Sequence, residues 1–360
     1  MPLRLALTVL ATAGLLSVAP APAAAPASAA AAPSLQHLIG QKLVVSMDGH
    51  TPSASLLDRA RRGRIGGVII HGFNFSSAAQ LRSIAKKLQQ AAAEGGRPRL
   101  LIAVDQEGGS VKTVSWIPPR LSPPEMGDLG SRETARAQGR KTGTALLGLG
   151  INTDLAPVAD VPASTSSFIY LQGRTWSFSS RETSRLANAF ALGLADRDAL
   201  ATMKHFPGLG FARKNTDNFV VHIDATRSQL APGLRPYRHA VENGVPLVML
   251  SNAVYKAYDR SHAAGWSHAV GTTLLRGELG YAGVTITDSL DGAANSRGIP
   301  TNPLALKAAK AGTDMLLLTG TEPSSRSVFR SLLDAAKAGQ IPHDRLTASY
   351  GRIIALKAGL

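Results

Sequence analysis

Ala201-Thr202-Met203-Lys204-His205-Phe206-Pro207-Gly208-Leu209-Gly210 carries a short apolar run into a cation and an imidazole, then into a Pro/Gly-rich loop. The loop continues through Asn215-Thr216-Asp217. Ile286-Thr287-Asp288-Ser289-Leu290 repeats the arrangement with a carboxylate where the apolar run stops. Runs of Val, Ile, Leu and Met without polar alternation suit parallel strands buried on both faces. Strand ends that stop on ionisable groups are the raw material of a catalytic pocket.

Working outward, eight such runs recur, at residues 42–47, 65–71, 99–105, 151–157, 201–205, 246–252, 283–288 and 314–318. Amphipathic segments lie between them, at 78–93, 133–149, 236–243, 269–279, 303–311 and 327–336. A further helix opens at Ser179-Ser180-Arg181-Glu182, which reads as a capping box, and places Leu186, Ala189, Phe190, Gly193 and Leu194 on one stripe. Eight strand–helix units predict an α/β fold of the (β/α)8 TIM-barrel type. The alternative is an open doubly wound sheet, which lacks support because no GxGxxG follows the first strand. Residues 344–360 are expected to form a last helix that closes the barrel. No repeat or linker interrupts residues 34–360, so a single domain is expected there.

Residues 1–33 read differently. One basic residue (Arg4), a mostly apolar stretch from Leu5 to Val18 and Ala-x-Ala choices such as Ala21-Pro22-Ala23 fit a secretory signal peptide followed by an Ala/Pro-rich segment. A span would need roughly 20 apolar residues, and Pro20, Pro22 and Pro26 interrupt the run; a retained anchor is the alternative. The mature chain is expected to be secreted or cell-wall associated, monomeric, and without stable membrane insertion. Absence of cysteine excludes a disulfide framework, a thiolate metal site and a cysteine nucleophile. The net charge of +15 points to a polyanionic neighbour. The charges are scattered and accompany no nucleic-acid motif, so cell-wall polymer or lipid headgroups are favoured over nucleic acid.

In a barrel the active site gathers at the C-terminal strand ends. Those ends carry Asp105, Asp154, Lys204, His205, Asn252 and Asp288. Glycosidic cleavage needs a carboxylate to meet the developing oxocarbenium ion and an acid to protonate the leaving oxygen. Asp288 suits the first task. Lys204 and His205 suit hydrogen bonding to sugar hydroxyls, with Lys204 keeping nearby carboxylates ionised.

Ordered segments along the chain then resemble glycoside hydrolase family 3, in particular its single-domain bacterial β-N-acetylglucosaminidase (β-N-acetylhexosaminidase) branch. These are Ile39-Gly40-Gln41-Lys42-Leu43, Ile65-Gly66-Gly67-Val68-Ile69 with Phe73-Asn74, Val104-Asp105-Gln106-Glu107-Gly108-Gly109, Leu155 to Val161, Gly173-Arg174-Thr175-Trp176-Ser177, Lys204 to Gly210 and Thr287-Asp288. The resemblance implies a barrel of the family's N-terminal type, retaining release of terminal β-linked N-acetylglucosamine, and no metal or organic cofactor. It implies Asp288 as nucleophile, and Asp105, Arg174, Lys204 and His205 as sugar ligands. With export and basic charge, peptidoglycan fragments become the expected carbohydrate partner.

The chain departs from that branch in the loop after residue 210. Where the branch carries Asp-x-His as acid/base pair, this sequence has Asn215-Thr216-Asp217; Leu209, Ser110 and Thr113 replace a His and two Arg. Asp217 is the candidate acid/base, its pKa expected to be raised by an apolar setting from Phe219, Val220 and Val221. Glu107, His222 and Asp224 are lesser candidates, Glu107 reading as structural in its tight turn, and His71 reads as a pocket wall. A β-glucosidase-type hydrolase, or a catalytically weak carbohydrate-binding protein of the same fold, are the alternatives.

Overall fold

The computed structural model describes residues 2, 3, 6, 8 and 32–360, and Ser34–Leu360 forms one unit. The expected export signal falls, apart from those scattered residues, outside the described residues. Twelve strands occur among the described residues, in chain order: β1 (Leu43–Ser46), β2 (Gly67–Ile69), β3 (Leu101–Val104), β4 (Gln106–Gly108), β5 (Val111–Lys112), β6 (Thr153–Asp154), β7 (Leu200–Phe206), β8 (His222–Ile223), β9 (Leu247–Leu250), β10 (Val254–Tyr255), β11 (Val284–Thr287) and β12 (Leu316–Leu318). Eight of them form one sheet in the order β11-β9-β7-β6-β3-β2-β1-β12, every pairing parallel. A parallel bridge between Ile286 and Met315 joins the two ends, so the sheet is a barrel.

Each of the eight predicted runs supplies one barrel strand. The 151–157 run pairs only over Thr153–Asp154. Period-two alternation decides the packing: Val44, Leu101, Ala103, Leu247, Met249, Val284 and Ile286 belong to one core, whereas Val45, Ile102, Val104, Val248 and Leu250 pack into a second one with the helices. The first core is the barrel interior. Ile353, from helix His343–Lys357, completes it. Burying one such aliphatic side chain stabilises the fold by about 1.5–3 kcal/mol.

The predicted helices form within a few residues of their expected ends, at Ala78–Glu94, Arg132–Leu147, Ser180–Ala195, Arg235–Glu242, Thr301–Ala311 and Glu322–Lys337. The segment Ala269–Glu278 is wound as a π-helix. The capping box at Ser179 is only half made. Ser179 Oγ accepts from Glu182 N (3.3 Å), but the Glu182 carboxylate turns to Arg185 instead (2.5 Å). Helices Ala54–Arg61 and Pro123–Leu129 were not expected; each opens on a serine cap, Ser53 and Ser122.

At the N-terminal end of the barrel sits a closed ionic knot. Asp314, fully buried, accepts from Arg276, from Thr285 N (2.9 Å), from Ser349 Oγ (2.9 Å) and from Arg352 Nη2 (2.8 Å). At the C-terminal end the loops make small additions, the antiparallel pair β4–β5 and the parallel pair β8–β10.

Candidate active site

A cavity of about 560 Å³ lies where the strands end, and its walls include Asp105, Glu107, Arg174, Lys204, His205, Asp217 and Asp288. Asp288, the proposed nucleophile, Asp217, the candidate acid/base, and the four expected sugar ligands Asp105, Arg174, Lys204 and His205 therefore meet in one space, although they are spread from residue 105 to residue 288 of the chain. His71 joins them as a wall, as expected.

The floor is a compact charge array. Lys204, at the end half of β7, reaches Asp105 Oδ1 at 2.6 Å and Glu107 Oε1 at 2.7 Å. Arg174 forks onto the same glutamate, Nε to Oε2 at 2.8 Å and Nη2 to Oε1 at 2.7 Å, the bidentate geometry that favours arginine over lysine. Burial alone would raise the Glu107 carboxyl; the Lys204 and Arg174 charges outweigh it and hold its pKa down at about 2. Burial likewise opposes the Lys204 ammonium, and Asp105 and Glu107 reverse that, raising its pKa. Both stay charged at neutral pH. Glu107 is thus more than a turn residue: it holds Lys204 and Arg174 in place.

His205 is fixed from behind. Its Nδ1 lies 2.8 Å from Asp160 Oδ2, and Asp160 Oδ1 accepts from His205 N (3.2 Å) and Leu209 N (2.7 Å). A carboxylate on Nδ1 places the ring proton there and leaves Nε2 for a ligand. Asp160 lies within the Leu155 to Val161 motif. Its signal was its place one strand before His205, which only the fold converts into a contact.

Asp288 ends β11, with its N–H donated to Leu250 O (2.9 Å) and its Oδ1 accepting from Ser289 N (2.7 Å). Asp217 enters from the long loop after β7, its N–H capped by Asn215 Oδ1 (2.9 Å). Its carboxyl presses on Gly292, where a Cβ would come within 2.6 Å of Asp217 Oδ1. That oxygen is buried without a partner. Burial, then the Asp288 charge, push the Asp217 pKa up to about 7, against the opposing pull of His205 and Arg174. The apolar setting expected from its own loop forms only in part: Val221 is buried, but it lines a cleft with His222 rather than this cavity. Phe219 is 48% exposed and Val220 42%, because Phe219 turns out to Lys214, whose ammonium sits 4.8 Å above the ring.

Other strand-end groups do not join the cavity wall. Asp154 is fully buried, accepting from Gln106 N (3.0 Å) with Oδ2 unpaired, and burial raises its pKa well above the usual carboxylate range. Asn252 donates to Ser289 O (2.8 Å) and braces the loop after β11. His222 and Asp224 line a separate surface cleft, and Asp224 is paired with Lys256 at 2.5 Å, so neither stands by Asp288. Among the described residues no group of three or more His, Asp or Glu is arranged to hold a metal ion.

Comparison with known proteins gives a consistent picture. The sequence profile described as the glycosyl hydrolase family 3 N terminal domain matches residues 34–356. An uncharacterized secreted glycosyl hydrolase of Arthroderma benhamiae is 35% identical over 330 residues, 89% of this chain and 92% of the relative. A β-hexosaminidase of Alkalilimnicola ehrlichii is 30% identical over 318 residues, 86% and 88% of the two chains. Among solved structures, a family 3 β-N-acetylglucosaminidase from a Paenibacillus superposes with a TM-score of 0.86 at 30% identity. That match covers 91% of this chain but 63% of the larger Paenibacillus chain. A β-N-acetylhexosaminidase from Beutenbergia cavernae gives a TM-score of 0.81 at 29% identity, covering 91% and 99%.

Proposed function

The chain belongs to glycosyl hydrolase family 3 and is a glycosidase, and from that footing we propose that it releases terminal β-linked N-acetylglucosamine with retention of configuration. The observation that carries this reading is the pairing, in one cavity, of Asp288 with a second carboxyl, Asp217, whose pKa stands near 7. A carboxylate to attack the anomeric carbon and a second carboxyl to give and take a proton are the pair a retaining glycosidase needs.

In the proposed first step an Asp288 oxygen forms a bond to the anomeric carbon as the glycosidic C–O bond breaks. Asp217 gives its proton to the departing oxygen. In the second step Asp217, now a carboxylate, takes a proton from water, the water oxygen bonds to the anomeric carbon, and Asp288 leaves with its electron pair. Asp105, Lys204, Arg174 and His205 hold the sugar, Asp105 being the one carboxylate among them, with its side chain 34% exposed. Glu107 and Asp160 act through those ligands as positioning residues. Nothing in the scheme calls for a metal or organic cofactor.

Peptidoglycan fragments are the proposed source of the sugar, on the strength of the basic net charge and the export-like N-terminal sequence. Initial rates on an aryl β-N-acetylglucosaminide and an aryl β-glucoside, side by side with Asp288→Asn, test the reading. Asp288-dependent turnover of the N-acetyl substrate supports it; preference for the glucoside moves the specificity to a β-glucosidase. No turnover of either by folded protein leaves a carbohydrate-binding role.

A further inference from the structure

Against His71, a wall of the cavity, one exposed aromatic ring is stacked. Phe73 is 64% exposed and sits in the tight turn Gly72–Asn74 that follows β2. The turn is rigid. Asn74, fully buried, donates from Nδ2 to Met47 O (3.0 Å) and Gly49 O (2.7 Å), while its Oδ1 accepts from His71 N (2.8 Å).

One face of the Phe73 ring lies on the His71 imidazole, centroids 5.3 Å apart and planes 14° from parallel. His71 is itself a wall of the cavity, held by Ser46 Oγ at 2.9 Å from Nε2. Burial depresses its pKa against the nearby Asp105, so the stack is one of uncharged rings. The result is a flat apolar surface, locked from below and continuous with the site that holds Asp105 and Lys204. An isolated exposed phenylalanine needs no explanation; one mounted on a buried asparagine and stacked on a cavity wall does.

We propose that Phe73, backed by His71, is the platform for the second sugar ring of the substrate, the pyranose on the leaving-group side of the scissile bond. A pyranose presents a face of C–H groups, and an aromatic ring is the surface that matches it. This inference rests on the glycosidase reading above and adds the size of the preferred substrate: at least two β-linked rings.

The test compares a β-1,4-linked N-acetylglucosamine disaccharide with the methyl β-glycoside of the same sugar, which has no second ring. Phe73→Ala is expected to lower kcat/KM on the disaccharide about three- to tenfold, the range for a lost aromatic stack, and to leave the methyl glycoside within about twofold. Phe73→Trp is expected to restore the disaccharide rate. Equal losses on both substrates, or no loss on the disaccharide, overturn the platform. Binding of the disaccharide and the monosaccharide to Asp288→Asn and to Asp288→Asn/Phe73→Ala gives the same ratio without turnover. A wild-type protein that hydrolyses neither substrate sinks the proposed reaction, while this binding ratio still decides the platform.

Discussion

Both ends of the barrel bury charge, and they differ in what they leave unpaired. At the N-terminal end Asp314 has donors on both oxygens, from Arg276, Thr285, Ser349 and Arg352. Lys42 nearby donates to Thr313 O (2.7 Å) and Ser349 Oγ (3.1 Å), and Lys357 to Gln41 Oε1 and Gly66 O, both at 2.6 Å. At the C-terminal end the Lys204–Glu107–Arg174 array is just as tightly paired, yet Asp217 stands beside it with a buried, partnerless oxygen. Saturated charge of the first kind holds the end of the barrel together. An unsaturated carboxyl costs stability, and one that also lines a cavity beside a second carboxylate is a candidate for other work.

The largest break in this comparison is expected from Asp288→Asn, which removes the proposed nucleophile. Turnover should fall by about 10⁴-fold or more with the unfolding midpoint nearly unchanged; surviving activity would place the nucleophile elsewhere. Next comes Asp217→Asn, with a loss of about 10²–10⁴ on glycosides with poor leaving groups and a much smaller one on aryl glycosides that depart without a proton. In the proposed mechanism the protonated form of Asp217 is the active one. Its pKa of about 7 means kcat/KM should fall as pH rises through that value, and the alkaline limb should disappear in the variant. Equal losses on both substrate types would remove Asp217 from the acid role.

Asp314→Asn tests the other end. Removing one partner of a buried ionic cluster costs about 3–5 kcal/mol, readable in denaturant unfolding, while the rate per folded molecule stays at the wild-type level. A loss under about 1 kcal/mol would mean that the two ends do not differ as argued. The smallest effect is expected from Gly292→Ala. The added methyl would meet Asp217 Oδ1 at 2.6 Å and push the carboxyl aside. A misplacement of that size should cost about tenfold in kcat on poor leaving groups, with thermal stability held or slightly raised by the better helix former.

Much of the fold was legible because each barrel strand is a short unbroken apolar run that stops on a polar group, a local pattern that survives without knowledge of its neighbours. The helix from Ser180 was legible for the same reason, in its serine cap and 3.6-residue stripe. Its capping box failed where a side chain had a choice: Glu182 found Arg185, and sequence alone does not rank two partners at equal spacing. The six site residues that share the cavity wall were legible through strand ends, family-like motifs and, for Asp217, the loop that departs from one. Glu107 and Asp160 were undervalued because their partners, Lys204 and His205, lie 97 and 45 positions away in the chain. Asp154 and Asn252, placed at strand ends with equal reason, turned out to be a buried acid and a loop brace.

By itself, then, the sequence determined the kind of barrel and the identity of the groups at its mouth, because hydrophobic period and motif order are written in consecutive residues. Only the tertiary structure decided which carboxyl is held near neutrality. The shift of Asp217 comes from burial, with Gly292 against its carboxyl, and from the charge of Asp288. Desolvation and Coulomb energy depend on distance through space, and residues 217, 288 and 292 become neighbours only when the barrel closes.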